Sequence, residues 1–246
     1  MDRTRIPTPP EGIGALIDRG PDHWQILQRQ ADGTADVRLA GRWRQEGLSG
    51  APTVHVRVVL EDSGEAVVSW RPAQMGPDRG WNARLSLPEG GPYRIETCLR
   101  PTDQPALEWS LRGDMIRHVG VGDVFVIAGQ SNSAGYGKDP AHDPPEIGIH
   151  LLAHDGRWRL AVHPFNESTD TIHPANREIA NPGHSPWLAF ARRLRRGIRV
   201  PIGLVQAALG GSPLSAWNPD EDGTLYRNLR DILAPLRPDP DAAWPL

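Results

Sequence analysis

The stretch Val124-Phe125-Val126-Ile127-Ala128-Gly129-Gln130-Ser131-Asn132-Ser133-Ala134-Gly135 decides how the second half of this chain is expected to fold. Five apolar residues in a row predict a strand covered on both faces of a parallel sheet. The run breaks at Gly129 into a turn rich in serine and glycine. In open α/β sheets, ligands gather at the carboxyl ends of the strands, beside the N-termini of the following helices. A serine in that position, such as Ser131, is able to stand exposed while nearby backbone N–H groups stay free to stabilise an oxyanion. A Gly-x-Ser triplet alone is weak evidence, because turns are full of both residues. A nucleophile and a plain turn both remain open at this point.

Downstream, Ser185-Pro186-Trp187 is expected to open a helix, with serine as N-cap and proline in the first turn. Leu188, Ala191 and Leu194 share one face. Arg192, Arg193, Arg195 and Arg196 crowd the end before Gly197, which reads as a natural stop, and the arginines read as a solvated helix end that complements the dipole. Ile198–Val205 predicts another buried strand, running into Gly210-Gly211-Ser212. Two glycines let the backbone approach a ligand closely, or simply let the chain bend. Trp217 is either an apolar wall of a pocket or core. Gly223-Thr224 starts a second helix, with Leu225, Leu229, Ile232, Leu233 and Leu236 on one stripe. Strand and helix in alternation imply an α/β layer with right-handed crossovers.

Upstream the pattern differs. Trp24–Arg29, Ala35–Leu39, Val54–Val58, Ala66–Trp70, Trp81–Leu87 and Tyr93–Thr97 read as short strands, separated by the turns Asp32-Gly33, Asp62-Ser63-Gly64 and Glu89-Gly90-Gly91-Pro92. Such spacing without helical periodicity predicts an antiparallel β-sandwich. The expected organisation is multi-domain, β followed by α/β. Its parts are a sandwich over residues 1–118 and an α/β part over 119–246, with the boundary near Arg117–Gly122.

The whole chain has 246 residues, 27 Lys+Arg against 30 Asp+Glu, and a formal net charge of -3. That balance removes the generic electrostatic case for nucleic-acid or anionic-membrane partners. Every basic residue except Lys138 is arginine. The single cysteine, Cys98, excludes an internal disulfide framework and a cysteine-based zinc cluster. No run approaches the roughly 18 apolar residues of a membrane span. Met1-Asp2-Arg3-Thr4-Arg5-Ile6-Pro7-Thr8-Pro9-Pro10 has no apolar core of a signal peptide, so a soluble, cytoplasmic chain is expected.

Val119-Gly120-Val121-Gly122-Asp123-Val124-Phe125-Val126-Ile127-Ala128-Gly129-Gln130-Ser131-Asn132 resembles the signature leading into the nucleophile of sialate O-acetylesterases. These belong with related carbohydrate acetylesterases in the SGNH-type serine hydrolase superfamily. Pro201–Val205 through Gly210-Gly211-Ser212 to Trp217 is similar to the next family block. Gly90-Gly91-Pro92-Tyr93 resembles the end of the β-sandwich that many members carry, and Leu225–Leu229 the following helix. The resemblance runs from about Gln25 to the end. It implies an SGNH-like (flavodoxin-like) α/β/α hydrolase domain without cofactor or metal. Ser131 would be the nucleophile on an acetyl ester, and the amides of Ser131 and of Gly211 (or Gly210) part of the oxyanion hole. Gln130, Asn132 and Trp217 would line the substrate, an acetylated sialic acid or other acetylated carbohydrate.

The family continues with a Gln-Gly-Glu block and an Asp-x-x-His segment that supplies the base and its carboxylate. This chain stops at Ala242-Ala243-Trp244-Pro245-Leu246, about where that next strand should begin. The expectation is a truncated esterase, inactive and poorly stable by itself, whose catalytic histidine is not assigned. His142, His150, His154, His163, His173 and His184 follow the nucleophile, but none completes a zinc motif: His150 and His154 have the spacing without the glutamate. His184 reads as surface or structural, or as a pocket wall. Asp143, Glu146 and Asp170 read as loop carboxylates, and Asn166-Glu167-Ser168 as a chance glycosylation pattern. Most of Trp24, Trp43, Trp70, Trp81 and Trp109 read as filling the sandwich core or its contact with the α/β half, rather than as a sugar platform. The reading opposed to an esterase is a non-catalytic glycan-binding or structural module. Sugar, acetyl position and oligomeric state are not fixed by the sequence.

Overall fold

The computed structural model describes residues 13–45, 52–101, 111–138, 142–179 and 181–236. Met1–Pro10, Trp109 and Ala242–Leu246, read above, lie outside these. The chain is mostly β-sheet with few helices, and divides into two compact units, residues 1–25 with 29–121, and residues 26–28 with 122–246.

The first unit holds β1 (Gly14–Arg19), β3 (Thr34–Arg44), β4 (Pro52–Leu60), β5 (Ala66–Pro72), β6 (Gln74–Met75), β7 (Gly80–Pro88), β8 (Gly90–Pro101) and the start of β9 (Leu111–Ile127). The strand β2 (Ile26–Gln28) belongs to the second unit and pairs with β9. Within the first unit the pairing is antiparallel throughout. One row runs β1-β3-β7-β6, and β4 lies between β5 and β8, which in turn pairs with β9. Alternation decides which face is dry: Ala35, Val37 and Leu39 on β3 and Val54, Val56 and Val58 on β4 are buried, with polar residues between them. Asp32 makes its turn by accepting the Thr34 N–H at 3.0 Å.

Of the described tryptophans in this unit, only Trp81 is core, donating its indole N–H to Leu16 and Arg42 carbonyls. Trp24 stacks on His118, Trp43 lies under Arg79, and Trp70 is faced by Arg57 and Arg100. These three are half-buried and so lie outside the dry sandwich core: cations and an imidazole cover what the sheets do not.

Strand β9 runs unbroken through the Arg117–Gly122 segment expected to be a boundary. A register shift near Ile116 is taken up by His118, which adopts a left-handed φ of 61°. Glu61 holds it there, accepting the His118 N–H at 3.1 Å and lying 2.6 Å from its Nδ1.

In the second unit, β12 (Ile202–Gln206) lies parallel to both β10 (Ile149–Leu152) and the end of β9, while β11 (Trp158–Leu160) is antiparallel to β10. The helices are α1 (Ser131–Ala134), α2 (Trp187–Ile198), α3 (Leu214–Trp217) and α4 (Thr224–Leu233). Ile127, Ile149, Leu151, Phe165, Leu188, Ile202 and Leu204 form one dry cluster between sheet and α2. Gly122 is required by close approach, because a Cβ there would collide with the Pro201 carbonyl that receives the Asp123 N–H at 3.0 Å.

Several expectations need correction. Val126 is 40% exposed beside an Ile127 exposed by 1%, so this end of β9 is covered on one face only. The strand predicted over Ile198–Val205 begins at Ile202, because α2 runs on to Ile198. Ser185 makes no cap bond; its hydroxyl is buried. Gly197 lies inside α2, and the left-handed cap is Arg199, whose N–H reaches Arg195 O at 2.7 Å. Arg192 and Arg195 are not simply solvated: both pair with Glu146, and Arg192 also lies 3.8 Å from Asp143.

Leu204 is fully buried at the centre of the second unit. Leu204→Ala is expected to lower unfolding free energy by about 2–5 kcal/mol, measured as a shifted denaturant midpoint at unchanged slope.

Candidate active site

Parallel pairing carries two loops to one place. The ladder sets Gln206 beside Ile127, then continues beyond both strands through Ala207 N–H to Ile127 O and Leu209 N–H to Gly129 O, each at 2.9 Å. The turn after β9 and the glycine turn after β12 therefore emerge side by side. Gly129 takes φ 122°, and Gln130 stays extended before α1. Ser133 and Ala134 both donate to Gln130 O at 2.9 Å, and the Trp187 indole donates to Ser133 O at 2.8 Å. Ser131 is the first residue of α1, half-buried, and its hydroxyl lies 3.3 Å from Gln130 Oε1. Among the described residues no hydrogen bond reaches the Ser131 or Asn132 amide, and no histidine nitrogen bonds the Ser131 hydroxyl. Gln130 and Asn132 are exposed on the same turn.

The two glycines part ways. Gly210 donates its N–H to Glu178 Oε1 at 2.6 Å. Gly211 is exposed at φ 67° with open space on its Cβ side, and among the described residues its amide has no partner. Ser212 closes the turn through its hydroxyl to Leu209 O at 2.8 Å, and accepts the Trp217 indole N–H at 3.0 Å. Trp217 is thus half-buried against the glycine turn.

Sequence reading missed the polar cluster beneath. Glu178 also accepts from the Tyr136 hydroxyl and from Asn166 Nδ2. Asn166 Oδ1 accepts from Gln206 Nε2 at 3.3 Å and faces His154 Nε2 at 2.8 Å. Because Asn166 offers its oxygen there, His154 must be the donor, as the Nε2–H tautomer. Asn176, also buried, donates to the Ala207 and Ala208 carbonyls and accepts from Asn228. Burial, then Glu178, pushes the Tyr136 hydroxyl up to about 12. Burial lowers His154 despite Asn166 and Glu178, and lowers His163, which also faces His184 and is opposed by Asp143. His184 packs edge-on to His163 at 4.9 Å and its backbone bridges Gly137, next to the exposed Lys138. Asp143 therefore belongs to a His163–Arg192 cluster, while Asp170 is exposed. Among the described residues no group of three or more His, Cys, Asp or Glu converges as metal ligands would.

Residues 121–233 match the model of a protein family described as carbohydrate esterase, sialic acid-specific acetylesterase. The match takes in Val121–Asn132, most of the stretch on which the resemblance was first read. Among solved structures, a protein from Arabidopsis thaliana is similar at 24% identity over 45% of this chain and 50% of its own, with a TM-score of 0.36. A carbohydrate acetylesterase from Xanthomonas citri is similar at 20% identity over 87% of this chain and 47% of its own, with a TM-score of 0.39. The chain spans about half the length of each. No curated protein matches. No described helix is long and apolar enough to cross a membrane.

The depressed histidines carry a pH prediction. Below the unfolded value near 6.5, the unfolded chain binds protons that folded His154 and His163 refuse, so stability is complete above that value and falls as pH drops. Thermal melting is expected at a lower temperature at pH 5.5 than at pH 7.5. His154→Gln should shrink that difference.

Proposed function

We propose that this chain carries the nucleophile and oxyanion portion of a serine O-acetylesterase acting on acetylated sialic acid or another acetylated carbohydrate. In this reading residues 1–118 form a β-sandwich domain and residues 119–246 the first part of an SGNH-type hydrolase domain. The observation that carries it is the emergence of the Ser131 hydroxyl and the open Gly211 amide from adjacent parallel strands, inside the family-matched segment. The Ser131 hydroxyl attacks the acetyl carbonyl, its proton passing to a base, and the carbonyl oxygen becomes a tetrahedral oxyanion. Ser131 and Gly211 N–H groups receive that oxygen; Gly210 is set aside from this role, since its N–H is taken by Glu178. Collapse expels the sugar hydroxyl and leaves an acetyl-serine for water to hydrolyse. Gln130, Asn132 and Trp217 border the turn where the sugar would rest.

A second reading, a non-catalytic glycan-binding module, is favoured by one observation: no described histidine bonds the Ser131 hydroxyl. The two separate on p-nitrophenyl acetate and O-acetylated sialic acid hydrolysis by the full-length gene product. Ser131→Ala is expected to lower kcat by about 10³-fold or more. Turnover equal to the unsubstituted protein would remove Ser131 as nucleophile.

A further inference from the structure

Glu178 ties three loops of the second unit together through one carboxylate. Oε1 accepts the Gly210 N–H at 2.6 Å and the Tyr136 hydroxyl, while Oε2 accepts Asn166 Nδ2. Its own N–H donates to Ser168 Oγ at 2.9 Å, fixing its backbone as well. Two of these loops are those assigned chemistry above: Tyr136 follows the Ser131 helix α1, and Gly210 precedes Gly211. The third is anchored from the core, because Asn166 is 1% exposed and held by His154 and Gln206. Room has been kept for this contact. A Cβ on Gly210 would collide with both Glu178 Oε1 and the Tyr136 hydroxyl.

We propose that Glu178 is a positioning residue for acyl transfer: by seizing the Gly210 N–H it fixes the peptide that follows, and so sets where the Gly211 N–H points relative to Ser131. The proposal rests on the esterase reading of Ser131 and Gly211. Hydrogen bonds to a carboxylate are about twice as strong as neutral ones, so this contact is suited to stiffen an exposed glycine turn. Misplacing a catalytic group by an ångström costs on the order of 10² in rate.

The test uses the full-length gene product, ¹⁵N-labelled, as wild type, Glu178→Gln, Glu178→Ala and Ser131→Ala, with folding checked by thermal melting. Glu178→Gln is expected to move the Gly210 and Gly211 amide resonances and to lower kcat about ten- to a hundredfold, with KM unchanged. A purely structural role would lower the amount of folded enzyme and leave kcat per folded molecule alone. A folded Glu178→Gln protein with wild-type kcat, or with unmoved Gly210 and Gly211 resonances, overturns the proposal. Should Glu178→Ala fail to fold, the glutamine variant decides. If Ser131→Ala leaves turnover intact, the esterase reading falls by itself. The glycine resonances then decide separately whether Glu178 holds the turn.

Discussion

Everything at the candidate site depends on β9 and β12 lying parallel and in register. An antiparallel neighbour would send its exit loop to the opposite end of the sheet, and a one-residue slip would turn every side chain to the other face. With Gln206 beside Ile127, the chain leaves both strands in the same direction, and the Leu209 N–H to Gly129 O bond stitches the two exits together. That register is enforced from below, where Ile202, Leu204 and Ile127 must face the same dry cluster. Core packing thus brings the two turns together, and the polar contacts beneath them come in addition.

Beneath the turns, buried polar side chains do what apolar ones cannot. Buried Asn166, His154, Gln206 and Asn176, with half-buried Glu178, form a layer in which most donors meet an acceptor on another segment. Such networks are costly when incomplete and specific when satisfied. The Asn166-Glu167-Ser168 pattern is the clearest case. What looked like a chance glycosylation triplet places a side chain that is almost wholly enclosed, with its nitrogen on Glu178 and its oxygen facing His154.

The parts of the fold legible in the sequence were those governed by short-range periodicity. Alternation in Val54–Val58 and Trp81–Leu87 marked strands, and the apolar run ending at Ala128 marked the strand that carries Ser131. The Val119–Asn132 pattern was specific enough to point to the family. What escaped had no local signature. Strand β1 is short and is placed by its ladder with β3, with Asp114 accepting the Ile17 N–H from 97 residues away. Arg199 took the left-handed cap because α2 ran one residue beyond Gly197, the expected stop. Glu178, Asn166 and His154 sit in loops at spacings no motif describes, so only the folded chain brings them together. Gly210 and Gly211 looked equivalent as letters, and a single carboxylate distinguishes them.

The near-total preference for arginine leaves Lys138 as the lone primary amine among the side chains, exposed one residue after the Gly137–His184 bridge that borders the Ser131 helix. Among these 246 residues a dye that reacts with amines therefore has one side chain to attach to. It would do so beside the very loop whose movements matter. Within this stretch Lys138 is a natural handle for fluorescence that requires no substitution.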